Sequence, residues 1–337
     1  MYLESFTHAK DPARQDLNED RLVACGDSLF AVIDGVTDKS GLRFAGKSGG
    51  QLAGRIIEDT LRSLVDTGGL ATLPATGIIE AINASFNDAY ARFGLAQRIA
   101  DEPNVRFGAQ LALAHISGGS VRLLHVGDCG MRLNGAVMFH DQQQGDGVLA
   151  VLRSRVFAAL RAAGTDLDES LAIARTCTVH GLNRLPERNG ALGDRAWEVL
   201  RTDIHAELTR TFPGLPAQAV RATADSGLLY LAGLRNSQAP LGFACLDGTD
   251  VPERYINELT LPLSELDCLE LYSDGYFGQP AETGRVVHWE NHLATVESTD
   301  PYKTGQHAST KGSAPGSFTD DRTVLIIRKD APQDARA

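Results

Sequence analysis

Four β-rich runs of this chain each meet an aspartate at one end, and that recurrence limits the possible folds more than any other feature. Leu29-Phe30-Ala31-Val32-Ile33 runs into Asp34-Gly35, His125-Val126-Gly127 into Asp128, and Leu269-Glu270-Leu271-Tyr272-Ser273 into Asp274-Gly275. Asp320-Asp321 opens the run Arg322-Thr323-Val324-Leu325-Ile326-Ile327, and Glu19-Asp20 precedes the short run Arg21–Cys25. A lone Asp-Gly is ordinarily a turn. Several of them at strand ends are another matter, because a strand is a rigid mount from which a short side chain can reach a shared centre. Such a centre would be rich in oxygen, the ligand that Mg²⁺ and Mn²⁺ prefer over imidazole or thiolate. Glycine after aspartate lets the backbone turn sharply and bring a carbonyl toward the same point.

The rest of the pattern divides the chain in three. From residue 1 to about 139 it reads as strands with two helices between them. Arg21–Cys25 and Ser28–Ile33 flank the hairpin-like turn Gly26-Asp27. Leu52, Ile56, Ile57, Leu61 and Leu64 recur at helical spacing and predict an amphipathic helix over 48–65. A second helix is expected over about 76–97, then strands over 107–116, 120–126 and 130–139. Residues 141–238, rich in Ala, Leu and Arg, read as several helices without strand alternation, a helical insertion. Strands return at Tyr255–Leu263, Cys268–Tyr272 and Thr323–Arg328. Gly305–Ser317 reads as a loop and Ala331–Ala337 as a disordered tail. Residues 1–330 are thus read as one domain, of α+β class, with helices covering sheets.

Composition removes several function classes. A formal net charge of −11 argues against a nucleic-acid surface, which needs a clustered basic stripe. No apolar run approaches the ~20 residues needed to span a membrane. Met1–Lys10 carries Glu4 and lacks the apolar stretch of a secretory signal. The five cysteines, Cys25, Cys129, Cys177, Cys245 and Cys268, form no Cys-x-x-Cys pair, so free thiols in a reducing cytoplasm are expected.

Taken in order, the acidic motifs resemble those of the metal-dependent protein phosphatase family, type 2C (PPM). Asn18-Glu19-Asp20 resembles its first acidic motif, and Ala31-Val32-Ile33-Asp34-Gly35 the start of its Asp-Gly-His-Gly-Gly. Gly108-Ala109-Gln110-Leu111-Ala112 stands where the family has a Gly-Ser/Thr-Thr-Ala strand. Val126-Gly127-Asp128-Cys129 is similar to Gly-Asp-Ser, and Tyr272-Ser273-Asp274-Gly275 to Ser-Asp-Gly. Thr319-Asp320-Asp321-Arg322-Thr323-Val324 is similar to the closing Asp-Asn/Asp-x-Thr-Val. The resemblance covers about 1–139 and 240–328.

It implies two antiparallel sheets packed face to face with helices outside. It further implies that Asp34 bridges two Mn²⁺ or Mg²⁺ ions, with the Gly35 carbonyl on one and Asp274 and Asp320 on the other. Glu19 or Asp20 would hold water around the ions, and Asp128 would join Asp274 at a third. A water bridging two such ions has its pKa lowered and can attack phosphorus in line. The implied activity is hydrolysis of phosphoserine or phosphothreonine on a protein. Two places depart from the family: Val36 stands where it has a histidine able to protonate the leaving group, and Arg14 lies five residues before Glu19 rather than four. Arg14 is nevertheless the expected phosphate contact, with Lys311 a second.

Other readings remain beside this one: a small-molecule phosphoesterase on the same scaffold, or a weakly active regulatory module. Gly41-Leu42-Arg43-Phe44-Ala45-Gly46-Lys47-Ser48 matches the P-loop pattern literally. A P-loop, however, begins directly at a strand end, and here residues 34–40 intervene. A Gly-rich lead into a helix is expected instead. His288-x-x-x-His292 lacks the glutamate placement of a zincin, and the charged run Arg184–Arg188 is expected to be a solvated loop.

Overall fold

The computed structural model describes residues 1–37, 40–140, 143–184, 192–313 and 316–330. Residues 185–188 of the charged run and the expected tail Ala331–Ala337 lie outside them. Two compact units emerge. The first comprises 1–141, 244–295 and 320–337; the second comprises 142–243 and 296–319. The second unit therefore reaches residue 243, past its last helix, and takes in 296–319, which the sequence pattern leaves with the sheets.

The first unit is built on two five-stranded antiparallel sheets, as expected. One consists of β1 (Tyr2–His8), β6 (Gly130–Leu133), β7 (Ala136–His140), β9 (Cys268–Tyr272) and β10 (Arg322–Arg328), in the order β1-β10-β9-β6-β7. The other consists of β2 (Arg21–Cys25), β3 (Leu29–Gly35), β4 (Ala109–Ser117), β5 (Ser120–Val126) and β8 (Asn257–Pro262), in the order β2-β3-β4-β5-β8. The period of two along each strand sorts its side chains into layers. On β3, Phe30 and Val32 join Met131, Leu269, Leu271, Leu325 and Ile327 in a core between the sheets. Leu29, Ala31 and Ile33 point the other way, onto α1 (Gly49–Asp66) and α3 (Ala75–Arg92). Behind the first sheet, Cys268, Tyr272, Val324 and Ile326 pack on Trp289 and Leu293 of α9 (Val286–Thr299). Short helices α2 (Gly69–Thr72) and α4 (Arg98–Asp101) complete the links before β4.

Three sequence expectations change in detail. The helix expected over 76–97 stops at Arg92, where Gly94, at φ 67°, ends it. The strand expected over 130–139 is a hairpin, because Asn134 (φ 49°) and Gly135 (φ 87°) make a two-residue turn of the kind favoured by Asn-Gly. β1 was not anticipated; its residues alternate between half-buried and exposed, but its apolar residues do not follow that alternation.

In the second unit, α5 (Gln144–Ala162), α6 (Leu167–His180), α7 (Asp194–Thr211) and α8 (Ala217–Ala232) enclose a core of Val148, Leu152, Val156, Trp197, Ile204 and Val220. Buried Arg153 of α5 donates to the carbonyls of Tyr302 (2.8 Å) and Lys303 (2.9 Å). Lys303, itself fully buried, donates to Glu297 at 2.9 Å.

Candidate metal centre

Antiparallel pairing sends the C-terminal ends of β1, β3, β5 and β9 and the N-terminal ends of β2, β4 and β10 to the same edge of their sheets. Gly35 is opposite Ala109, Leu111 opposite Val126, His8 opposite Arg322, and Val324 opposite Tyr272. All the acidic motifs named above therefore sit where one end of a strand meets its loop. Asp34 has the parity of Phe30 and Val32, so its side chain leaves β3 on the side between the sheets. The backbone N–H of Asp274 donates to Asp34 Oδ2 at 3.4 Å, which links the end of one sheet to the end of the other. Asp128 follows Gly127, whose φ of 95° and contact with Gln110 leave no room for a side chain: an added Cβ would lie 2.1 Å from Gln110 Cγ. Gly35 is equally confined, with the Glu19 carbonyl 2.5 Å and the Gly50 carbonyl 2.7 Å from where its Cβ would be.

Cys129, next to Asp128, is fully buried. Burial pushes its thiol well above the usual cysteine range, and the charges of Asp34, Asp128, Asp20 and Asp274 push it the same way. Four carboxylates from four different segments thus act on one sulfur. Asp20 is buried, and its carboxyl is pushed up to about 7. Burial is the main cause; a hydrogen bond from the Ser273 hydroxyl (2.7 Å) opposes it, and the nearby Asp321 and Asp274 add to it. Asp274 Oδ1 is buried with no hydrogen-bond partner. A buried carboxylate oxygen left in this state is costly and calls for a cation or a donor.

The other carboxylates are engaged in different ways. Glu19 accepts from Ser48 Oγ (2.5 Å) and Thr37 Oγ1 (2.6 Å). Asp321, adjacent to the expected ligand Asp320, accepts from the backbone N–H groups of Lys10 (2.7 Å) and Glu19 (2.8 Å). It is a clamp that ties β1's exit and the first acidic motif to β10, with both oxygens committed to protein amides. Asp320 and Glu19 share a cation that no motif had pointed to: Lys10 Nζ lies 3.6 Å from Asp320 Oδ1 and 3.7 Å from Glu19 Oε2.

A hard divalent ion fits this site by the chemistry of its donors, which are all oxygen, and by the orphaned Asp274 Oδ1. Among the described residues, however, no three His, Cys, Asp or Glu side chains are already drawn together as a ligand set. Glu19 and Asp320 are turned toward Lys10 and the hydroxyls instead, so gathering an ion requires carboxylate rotation at fixed strand ends.

Each expected phosphate contact has partners close to it in the chain. Arg14 is exposed and grips Asp16 with two hydrogen bonds of 3.0 Å. Lys311 belongs to the second unit, where its backbone N–H donates to Ser309 Oγ at 3.4 Å. Val36, at the family's histidine position, contributes its backbone N–H to the Gly108 carbonyl (3.0 Å). The P-loop-like segment is a tight turn, not a cradle. Phe44 and Lys47 pair across Ala45 and Gly46, Phe44 is buried against Phe93 and Phe107, and Ser48 caps α1 by accepting from the Gln51 N–H. The two histidines of α9 also go separate ways, His288 to Glu282 and His292 to the Phe277 carbonyl.

No family model and no curated protein sequence matches the chain. Among solved structures, a bacterial serine phosphatase is similar over 99% of both chains at 12% identity, with a TM-score of 0.44. Serine/threonine phosphatase Stp1 from Staphylococcus aureus is similar over 98% of this chain and 96% of its own, at 12% identity and a TM-score of 0.46. The Mycobacterium tuberculosis serine/threonine phosphatase PstP covers 98% and 100%, at 13% and 0.43. Likenesses this distant transfer no residue roles, and the chemistry rests on this chain's own atoms.

Proposed function

We propose that the first unit is a Mn²⁺- or Mg²⁺-dependent phosphatase that hydrolyses phosphoserine or phosphothreonine on a protein. The observation that carries this reading is the placement of Asp20, Asp34, Asp128 and Asp274 at the same edge of their sheets, with the Asp274 N–H on Asp34 Oδ2 and Asp274 Oδ1 left without a partner. Asp34 and the Gly35 carbonyl would hold one ion, Asp274 and Asp320 another, with Glu19, Asp20 and Asp128 around them. When bound, two such ions lower the pKa of a water between them so that it can attack phosphorus, and they offset charge on the phosphoryl oxygens. The chain's own contribution is placement. Asp321 clamps the acidic segments together, the Ser273 hydroxyl orients Asp20, and the close approach of Gly35 to Glu19 and Gly50 fixes the Asp-Gly carbonyl. The substrate class comes from the resemblance of the motifs, since a fold alone does not specify one. The five free thiols suit a reducing compartment, and we read the site of action as the cytoplasm. Among the described residues no helix is long and apolar enough to cross a membrane.

Val36 favours a second reading, a weakly active regulatory module, because no side-chain acid replaces the histidine there. One experiment separates the two. Hydrolysis of p-nitrophenyl phosphate and of a phosphopeptide panel is measured with Mn²⁺, after chelation, and in Asp274→Asn. The phosphatase reading expects turnover that chelation abolishes reversibly and Asp274→Asn lowers at least about a hundredfold, the scale of losing a charge-stabilising group. Aryl turnover with negligible peptide turnover would favour the regulatory reading. Full activity after exhaustive chelation would remove the metal from the mechanism.

A further inference from the structure

We propose that Lys10 is a tethered cation that neutralises Glu19 and Asp320 in the metal-free protein and must leave them when a divalent ion binds, so that it sets how tightly the ion is held. This rests on the metal-dependent reading above. The placement of Lys10 is built, not incidental. β1 pairs with β10 from Tyr2–Arg328 to His8–Arg322, which delivers residue 10 to the segment carrying Asp320. The Lys10 backbone N–H is then pinned by Asp321 Oδ1 at 2.7 Å, and Thr37 Oγ1 lies 3.5 Å from its ammonium. The two carboxylates it faces are almost wholly buried, with side chains 7% and 9% exposed, whereas its own side chain is 36% exposed.

These numbers decide the kind of interaction. At 3.6 and 3.7 Å the ammonium is beyond the usual N–H···O range, so it acts on both carboxylates mainly as a charge. Two buried carboxylates without that charge would repel each other and the neighbouring Asp20 and Asp274. A divalent ion coordinates oxygen at roughly 2.0–2.6 Å, which would put two positive charges next to the ammonium. The lysine must then withdraw, and its exposed side gives the flexible stem somewhere to go. Metal binding thereby forfeits an existing ion pair, and the observed affinity is lower than the carboxylates alone would give.

The test compares metal-free wild type with Lys10→Met, which keeps the stem and removes the charge, and with Lys10→Arg, which keeps the charge. Mn²⁺ binding is measured by calorimetry. Lys10→Met is expected to bind about fivefold more tightly or better, the factor that a partly exposed ion pair corresponds to; Lys10→Arg should stay near wild type. Should Lys10→Met be recoverable only with metal, its loss of Mn²⁺ to a chelator, followed by the resonance of the released ion, should be slower than in wild type by a similar factor. Equal or weaker binding, or equal or faster loss, in Lys10→Met overturns the role of Lys10 while leaving the metal centre standing. Absence of Mn²⁺ binding in wild type and variant alike overturns both.

Discussion

Two groups of buried charge, one behind a sheet and one at the strand ends, differ in that only the first is complete. Behind the sheet, Glu270 of β9 pairs with Arg132 of β6, and its other oxygen accepts from the Gly284 N–H (2.8 Å) and Trp289 Nε1 (3.2 Å). Arg132 also donates to the carbonyls of Pro280 (2.6 Å) and Glu282 (2.9 Å). Charge and hydrogen bonds both close, and the loop before α9 is fastened to the sheet. At the strand ends, by contrast, Asp274 Oδ1 has no partner, Asp20 is driven toward its neutral form, and a half-exposed lysine serves two carboxylates. A buried charge that is fully satisfied is structure. A cluster whose accounts stay open points to a ligand that closes them.

The sharpest way to break this contrast is to remove one carboxylate from each group. Glu270→Ala leaves Arg132 buried with its charge partner gone and should cost ~3–5 kcal/mol of stability in chemical denaturation. Asp274→Ala should leave metal-free stability unchanged or slightly raised, because it relieves repulsion. Equal losses in the two variants would show that the strand-end cluster is structural too.

A smaller effect separates the groups by pH. Asp20 retains a proton up to about 7 in the folded chain, whereas an unfolded aspartate releases it near 4. Between those values the folded state binds more protons than the unfolded one, so the contribution to stability is fully present below about 4 and is lost as pH rises through 7. Metal-free protein should therefore lose stability from pH 5 to 7, by at most ~1.4 kcal/mol per pH unit from this one group. Asp20→Asn should flatten that slope in thermal melts, and saturating Mn²⁺ should as well. A slope that persists in Asp20→Asn would assign it to another group.

Legibility in the sequence followed the range of the physics involved. Periodicity is local, and it served well. The sequence pattern places a strand at Cys268–Tyr272, its observed bounds, and a helix at 48–65 that is α1 displaced by one residue, with Ser48 as its cap. That each aspartate stands at a strand end was legible because the residue and its strand share one short segment. What failed depends on partners far along the chain. Lys10 faces Asp320 only because β1 pairs with β10, and β1 itself shows no clean apolar/polar alternation to announce it. Arg132 and Glu270 meet across β6 and β9, and each alone looks like an ordinary charge in a strand. Asp321 could not be told from Asp320 by adjacency; only the amides of Lys10 and Glu19 reveal that it is a clamp.

Arg14 gives the finest test of the same distinction, between a charge already satisfied and one still open. From the sequence it was the expected phosphate contact, close before Glu19. In the structure its side chain is 54% exposed, and its guanidinium makes two parallel bonds to Asp16, with Nε and Nη2 each 3.0 Å from an oxygen. That geometry is the strong form of an arginine–carboxylate pair, and the charge, the planar fork and the chain position are all taken up locally. Exposed pairs contribute little to stability, so Arg14→Ala should barely move the melting temperature. If the guanidinium stays with Asp16 during turnover, KM for an aryl phosphate should change by less than about threefold, within the range expected for an exposed pair. Asp16→Ala refines the result, because it frees the arginine without removing it. An unchanged KM in both variants keeps Arg14 out of the site. A tenfold rise in KM confined to Arg14→Ala would return it to the phosphate, and would mean that its bond to Asp16 opens when substrate arrives.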